Sequence, residues 1–163
     1  QLFRFIECPI AKKAELPTEN QVYAIHGYYN GADMKYFSYH TDSGWCRQVY
    51  DKPTDSQWQL FACDTGNNQF FIMNRCNDHR QGKWLSYGKC DGRSGDSVGL
   101  WSNEQSRAIW QLDRADAGNL VGFRLMCYYQ GQFKGYLSYQ NDGKWNKLYG
   151  NQSDASVYVL EQV

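Results

Sequence analysis

The sequence predicts an all-β domain of three like units closed around an axis, a β-trefoil, and three observations carry that prediction. The segments Tyr23–Tyr39, Phe71–Tyr87 and Phe123–Tyr139 each open on an aromatic residue and close on aromatic–Phe/Leu–Ser–Tyr, recurring at intervals of about fifty residues. Further along each unit Trp58-Gln59-Leu60 recurs as Trp110-Gln111-Leu112 and, degenerately, as Tyr158-Val159-Leu160. No window holds a convincing helical period, and aromatic residues, 17% of the chain, fit half-buried strands. One such unit cannot bury its own apolar face, whereas three closing around an axis can, and three units of four strands match a β-trefoil. A three-fold β-prism is the rival architecture.

The elements follow in order. Residues 1–20 form an N-terminal extension in which Leu2-Phe3-Arg4-Phe5-Ile6 alternates like a strand. It would be a thirteenth strand, and an unpaired edge invites a second copy of the chain, so a homodimer through this strand is expected. The trefoil occupies 21–163, with repeats at about 21–68, 69–120 and 121–163. In the first repeat the strand candidates are 22–27, 35–40, 46–51 and 57–63. Short apolar pairs mark the third strand of each unit: Val49-Tyr50, Leu100-Trp101 and Leu148-Tyr149. Asp64-Thr65-Gly66-Asn67 and Asp116-Ala117-Gly118-Asn119 supply the positive φ angles of tight turns after the fourth strands.

A chain of 163 residues suits one domain with a real core. Lys plus Arg and Asp plus Glu number 17 each, so no basic field exists to neutralise nucleic acid or sulfated polymers. No run of residues is long and apolar enough for a membrane span. Six cysteines, at positions 8, 46, 63, 76, 90 and 127, form an even set with no C-x-x-C pair, which points to disulfides rather than zinc. Fifteen connectivities are open to them. Secretion is the matching expectation, since an opening on Gln1 is what removal of a leader leaves, as would trimming of the chain. Asn151-Gln152-Ser153 is an N-glycosylation sequon.

With its three-fold unit and closing tryptophans, the stretch from about residue 20 to 163 resembles the β-trefoil lectins of the ricin-B type. A looser likeness is to galactose-binding lectins secreted by marine invertebrates. The resemblance implies a non-catalytic, multivalent binder of galactose-type sugars on glycans or glycoproteins. The chain departs from that family in two places. Where the family carries Gln two residues before the closing Trp, this chain has Ser56, Ala108 and Ser156. Where the family's Asp grips adjacent sugar hydroxyls, it has Ser38, Ser86 and Ser138, so the grip is absent or rebuilt.

A sugar site needs an aromatic face for the C–H side of the ring and carboxylates or amides for the hydroxyls. The loop after the second strand offers both in two units: Asp42 and Trp45 in the first, Asn141, Asp142 and Trp145 in the third. In the middle unit the loop is longer, and Asp91 and Trp101 are the candidates. The competing reading makes Trp45 and Trp145 plugs of the barrel and the aspartates turn caps. Trp58 and Trp110, in closing strands, read as core. The Asp91–Asp96 loop has oxygens that could wrap a calcium ion, but it lacks the EF-hand order of ligands and reads as a solvated turn, so no cofactor is expected. No G-x-S-x-G, H-E-x-x-H or P-loop occurs, and His26, His40 and His79 fall at unrelated places in the repeats, so no enzyme is expected. The alternative to a lectin is a protease inhibitor of the trefoil type, for which the Asp78–Gly82 and Cys90–Ser97 loops are the candidates. A cytokine-like ligand and a structural matrix protein follow it.

Overall fold

The computed structural model describes residues 17–18, 21–66, 68–88, 96–140 and 145–163. The Leu2–Ile6 strand, and with it the homodimer expectation, lies outside them. Among the described residues there are twelve strands: β1 (Val22–Tyr29), β2 (Ala32–Tyr39), β3 (Cys46–Tyr50) and β4 (Trp58–Ala62) in the first lobe. The second lobe has β5 (Gln69–Asn74), β6 (Trp84–Tyr87), β7 (Val98–Trp101) and β8 (Ile109–Ala117). The third has β9 (Leu120–Tyr129), β10 (Gln132–Ser138), β11 (Lys147–Tyr149) and β12 (Val157–Gln162).

The first and fourth strands of the lobes pair antiparallel in a closed ring, β1–β4–β5–β8–β9–β12 and back to β1. The pairs β2–β3, β6–β7 and β10–β11 complete the lobes. Each reaches the next: Trp45 bridges Gly99, Ser97 bridges Lys147, and Asn146 N donates to Cys46 O at 2.9 Å. This closed cycle of three lobes is a β-trefoil. Three single 3-10 turns each lead into a fourth strand: Pro53–Asp55, Glu104–Ser106 and Gln152–Asp154.

The closing aromatics sit at the centre. Trp58, Trp110 and Tyr158 are 0% exposed and pair across the ring with Tyr23, Phe70 and Phe123. Their polar atoms are satisfied, as burial requires. Trp58 Nε1 donates to Phe37 O at 3.1 Å, Trp110 Nε1 to Leu85 O at 3.2 Å, and Tyr158 OH to Gln48 Oε1 at 2.9 Å.

The same pairs correct the expected alignment of the second repeat. Phe70, not Phe71, is the partner of Tyr23 and Phe123, and the extra residue is absorbed before Trp84. Side chains alternate across a strand, so this one-residue slip turns Phe71 outward. There it lies under the Arg107 guanidinium, 3.5 Å from the ring centroid.

The serines of the repeat are buried parts of the fold. Ser156 Oγ accepts from Tyr139 N at 2.9 Å and lies 3.0 Å from Ser138 Oγ. In the middle lobe Ala108 replaces that partner, and the buried Ser86 Oγ has none. Hence Ser86→Ala is expected to leave the denaturation midpoint unchanged or raise it, while Ser138→Ala costs about 1 kcal/mol. Equal losses in the two variants would contradict this account.

The disulfide expectation is not met within the described residues. Cys46, Cys63 and Cys76 are free thiols. Cys46 and Cys127 are 0% exposed and fill core positions as small apolar side chains. Burial pushes the Cys46 thiol well above its ordinary range, which keeps it protonated and unreactive. Cys8 and Cys90 lie outside the described residues.

Candidate functional site

The first lobe's β2–β3 loop is closed locally. His40 N donates to Trp45 O at 2.8 Å and Gly44 N to His40 O at 2.7 Å, with Gly44 at a φ of 77° that favours glycine. This turn delivers Trp45 onto the second lobe, and two glycines there make room for it. A Cβ on Gly99 would stand 3.0 Å from the indole, and one on Gly88 3.4 Å. Leu100 N donates to Gly44 O at 3.1 Å and fixes the contact.

Trp45 thereby meets Trp101 edge to face, with ring centroids 5.9 Å apart and planes at 83°. The two half-buried indoles line a cleft of about 340 Å³ together with Ser43, Gly44, Arg80, Gly99, Leu100 and Ser102. Arg80 comes from the second lobe and clasps the hairpin. Its Nε donates to Thr41 O at 2.6 Å, its Nη2 to Asp42 O at 2.7 Å, and its backbone N to Asp78 Oδ1 at 2.8 Å.

A second cleft of about 350 Å³ lies on the other flank of the hairpin, with Tyr39, Thr41, Tyr50, Asp55, Asn77 and Asp78 among its walls. Tyr39 OH donates to Asp78 Oδ2 and accepts from Asn74 Nδ2, and Tyr50 OH donates to Tyr39 O. Burial, then the bond to Asp78, pushes the Tyr39 phenol far up, so it stays a donor at any physiological pH. The junction of lobes one and two therefore offers aromatic faces, a guanidinium and carboxylates within one surface.

The structure brings together two of the expected residues, Trp45 and Trp101. Asp42 is exposed at the hairpin's tip, its carbonyl held by Arg80. Trp145 stands apart, at the junction of lobes three and one. There it meets His40 edge-on at 6.1 Å, with the Arg47 guanidinium 5.8 Å from its ring centroid. Trp45 and Trp145 are neither barrel plugs nor fully free: both are half-buried and lean on the following lobe. Asp91, Asn141 and Asp142 lie outside the described residues. Of the loop read for calcium only Asp96 is described; it is exposed, and its carbonyl accepts from Leu148 N at 2.8 Å.

Sequence reasoning missed Arg80, Tyr50, Asp55 and Asp78. Tyr50 was visible as the repeated aromatic of the third strand. Arg80 belongs to one lobe and acts on another, and no repeat pattern marks it.

Among solved structures the chain is similar to SeviL, determined bound to asialo-GM1 saccharide, with 19% identity over 88% of this chain and 98% of that one and a TM-score of 0.57. It is also similar to the BEL β-trefoil in an apo crystal form, with 16% identity over 92% of this chain and 98% of that one and a TM-score of 0.59. No family profile matches the chain, and no curated protein does. At these identities the likeness is one of fold.

Proposed function

We propose that this β-trefoil is a non-catalytic carbohydrate-binding protein, a lectin, which takes galactose-type sugars in the Trp45–Trp101 cleft. The observation that carries the reading is the pair of perpendicular, half-buried indoles beside the Arg80 guanidinium. A pyranose with an axial 4-hydroxyl has one face of contiguous C–H groups, which an indole covers, while Arg80, Ser43 and Ser102 can meet its hydroxyls. The saccharide bound by the SeviL neighbour supports the same class of ligand.

Of the two loops an inhibitor reading would use, residues 90–95 of Cys90–Ser97 lie outside the described residues, and the state of the other weakens that alternative. Asp78–Gly82 does not project: Asp78 N donates to Cys76 O at 2.9 Å, Gly82 N to Asn74 O at 2.8 Å, and Arg80 ties it to the first lobe.

Multivalency belongs to the proposal, with the surface around Trp145 as a further site and the Leu2–Ile6 strand as the dimer contact. The protein would act outside cells, where glycans are displayed. One shallow site near the millimolar scale is worth only about 4 kcal/mol, and linking sites raises avidity roughly 10²–10⁴-fold. Sedimentation of the full chain beside one starting at Ala11 tests the dimer: a dimer of the first and a monomer of the second are expected.

Glycan-array screening followed by calorimetry tests the cleft. Trp45→Ala and Trp101→Ala should each weaken galactoside binding by about tenfold or more, equivalent to about 1.4 kcal/mol, with unchanged circular dichroism. Unaltered binding in both folded variants would remove the cleft from the site.

A further inference from the structure

We infer that the first lobe carries a second, separate site for one neutral sugar unit, formed by His26, Asp33, Lys35, Tyr36, Tyr50 and Asp51. It rests on the lectin reading but not on the Trp45–Trp101 cleft. These side chains line a cavity of about 220 Å³ that shares no residue with that cleft.

The three-fold repeat shows what the fold alone demands here. The β1–β2 and β9–β10 hairpins turn alike, through Asn30 and Gly31 at φ 49° and 78° and through Gln130 and Gly131 at 52° and 76°. Position by position, His26 faces Tyr36 across the strands as Met126 faces Tyr136 and Met73 faces Trp84. Asp33 pairs with Tyr28 where Phe133 pairs with Tyr128. The third lobe fills this face with Phe133, its ring 5.5 Å from Tyr128 and 5.2 Å from Tyr136. Methionine and phenylalanine therefore satisfy the barrel, and the charged set of the first lobe is not required to build it. Lys35 also holds a φ of 65°, where the third lobe uses Gly135 at 136°. A lysine in the left-handed region is strained, and such strain collects at functional sites.

The set is fixed in place. His26 Nε2 lies 2.8 Å from Asp33 Oδ1 and its Nδ1 3.2 Å from Glu161 Oε1, while the ring stacks on Tyr28 at 4.6 Å and meets Tyr36 at 4.4 Å. Tyr36 OH donates to Glu161 Oε2 at 2.7 Å, and Lys35 N donates to Asp33 Oδ1 at 2.8 Å. Burial would raise the Asp33 carboxyl, but the bonds from His26 and Lys35 N outweigh it and hold it below its ordinary range. Burial and the Glu161 bond push the Tyr36 phenol up to about 12.

On the rim Lys35 Nζ stands 3.3 Å from Asp51 Oδ1, so the pocket presents acceptor, donor, acceptor in Asp33, Lys35 and Asp51. Sugar hydroxyls both donate and accept, and match that order. The cross-strand pair Tyr36 and Tyr50 supplies ring walls for C–H groups. Asp33 and Asp51 line the pocket with a single lysine, and Glu161 holds His26 and Tyr36 from behind, so carboxylates outnumber the lysine, an anionic sugar is repelled and a neutral one is favoured.

The test is a titration of ¹⁵N-labelled protein with the methyl glycosides of galactose, glucose and mannose, and with methyl-N-acetylneuraminic acid as the anionic probe. The amides of Lys35, Tyr36 and Asp51 should shift and saturate with at least one neutral glycoside and not with the anionic one. His26→Met, which installs the residue of the other lobes, and Asp33→Asn should weaken that response at least tenfold and leave the Trp45 and Trp101 indole response intact. Silent Lys35, Tyr36 and Asp51 amides beside responding indoles would overturn the second site and leave the lectin reading standing. Silence at both places would overturn both. Undiminished shifts in Asp33→Asn, or a tighter response to the anionic probe, would also overturn the inference.

Discussion

Trp58→Ala should destabilise the protein by about 3–5 kcal/mol, the range for truncating a buried large aromatic. Three losses combine in that variant. The indole is 0% exposed, so its whole volume becomes a cavity. It packs against Phe37 at 5.0 Å and Tyr39 at 6.3 Å between ring centroids. Its Nε1 also donates to Phe37 O and to Ser56 Oγ at 3.2 Å. Against a typical total of about 5–15 kcal/mol, such a loss leaves the fold marginal. Urea denaturation followed by circular dichroism measures it. A loss below about 1 kcal/mol would mean that the closing aromatics do not anchor the lobes.

Gly27→Ala should cost about 1–3 kcal/mol although it adds a single methyl group. The new Cβ would stand 2.1 Å from Gln48 Nε2, and Gln48 cannot retreat freely. Its amide donates to Met34 O at 3.1 Å and its Oε1 accepts from Asn146 Nδ2 at 2.5 Å and from Tyr158 OH at 2.9 Å. All three side chains are buried, so displacing Gln48 strands polar groups away from water. The other lobes hold Asn74 and Cys127 at this barrel position, opposite Trp58 and Trp110. Position 27 therefore excludes a side chain because of Gln48 and not because of the barrel. A double-mutant cycle with Gln48→Ala checks this, and coupling of at least about 0.5 kcal/mol is expected. Additive effects would place the cost of Gly27→Ala elsewhere.

The fold was legible in the sequence because everything it needs is repeated. Each lobe must bring an aromatic to the barrel axis, and Trp58, Trp110 and Tyr158 announce that demand three times. The Phe71 slip arose because two adjacent phenylalanines, Phe70 and Phe71, both fit the pattern, and only strand pairing separates them. The cysteines were a weak guide among the described residues for a related reason. An even count says nothing of geometry, and Cys46 and Cys127 occupy core positions of strands β3 and β9.

The clefts were legible only in part. Trp45 and Trp101 stood out as aromatics at loop and third-strand positions, but their meeting depends on Gly88 and Gly99 leaving room on another lobe. Arg80 and the His26–Asp33 pair are departures from the repeat, and a search for what three lobes share passes over them. Both proposed sites sit where the symmetry breaks.

The most direct test of the proposed sugar site is a crystal structure grown with saturating methyl β-galactoside. The account predicts a pyranose ring resting against Trp45 or Trp101, with a hydroxyl within hydrogen-bond distance of the Arg80 guanidinium. A galactoside bound elsewhere on the trefoil, with the Trp45–Trp101 cleft empty and open to solvent in the lattice, would contradict it.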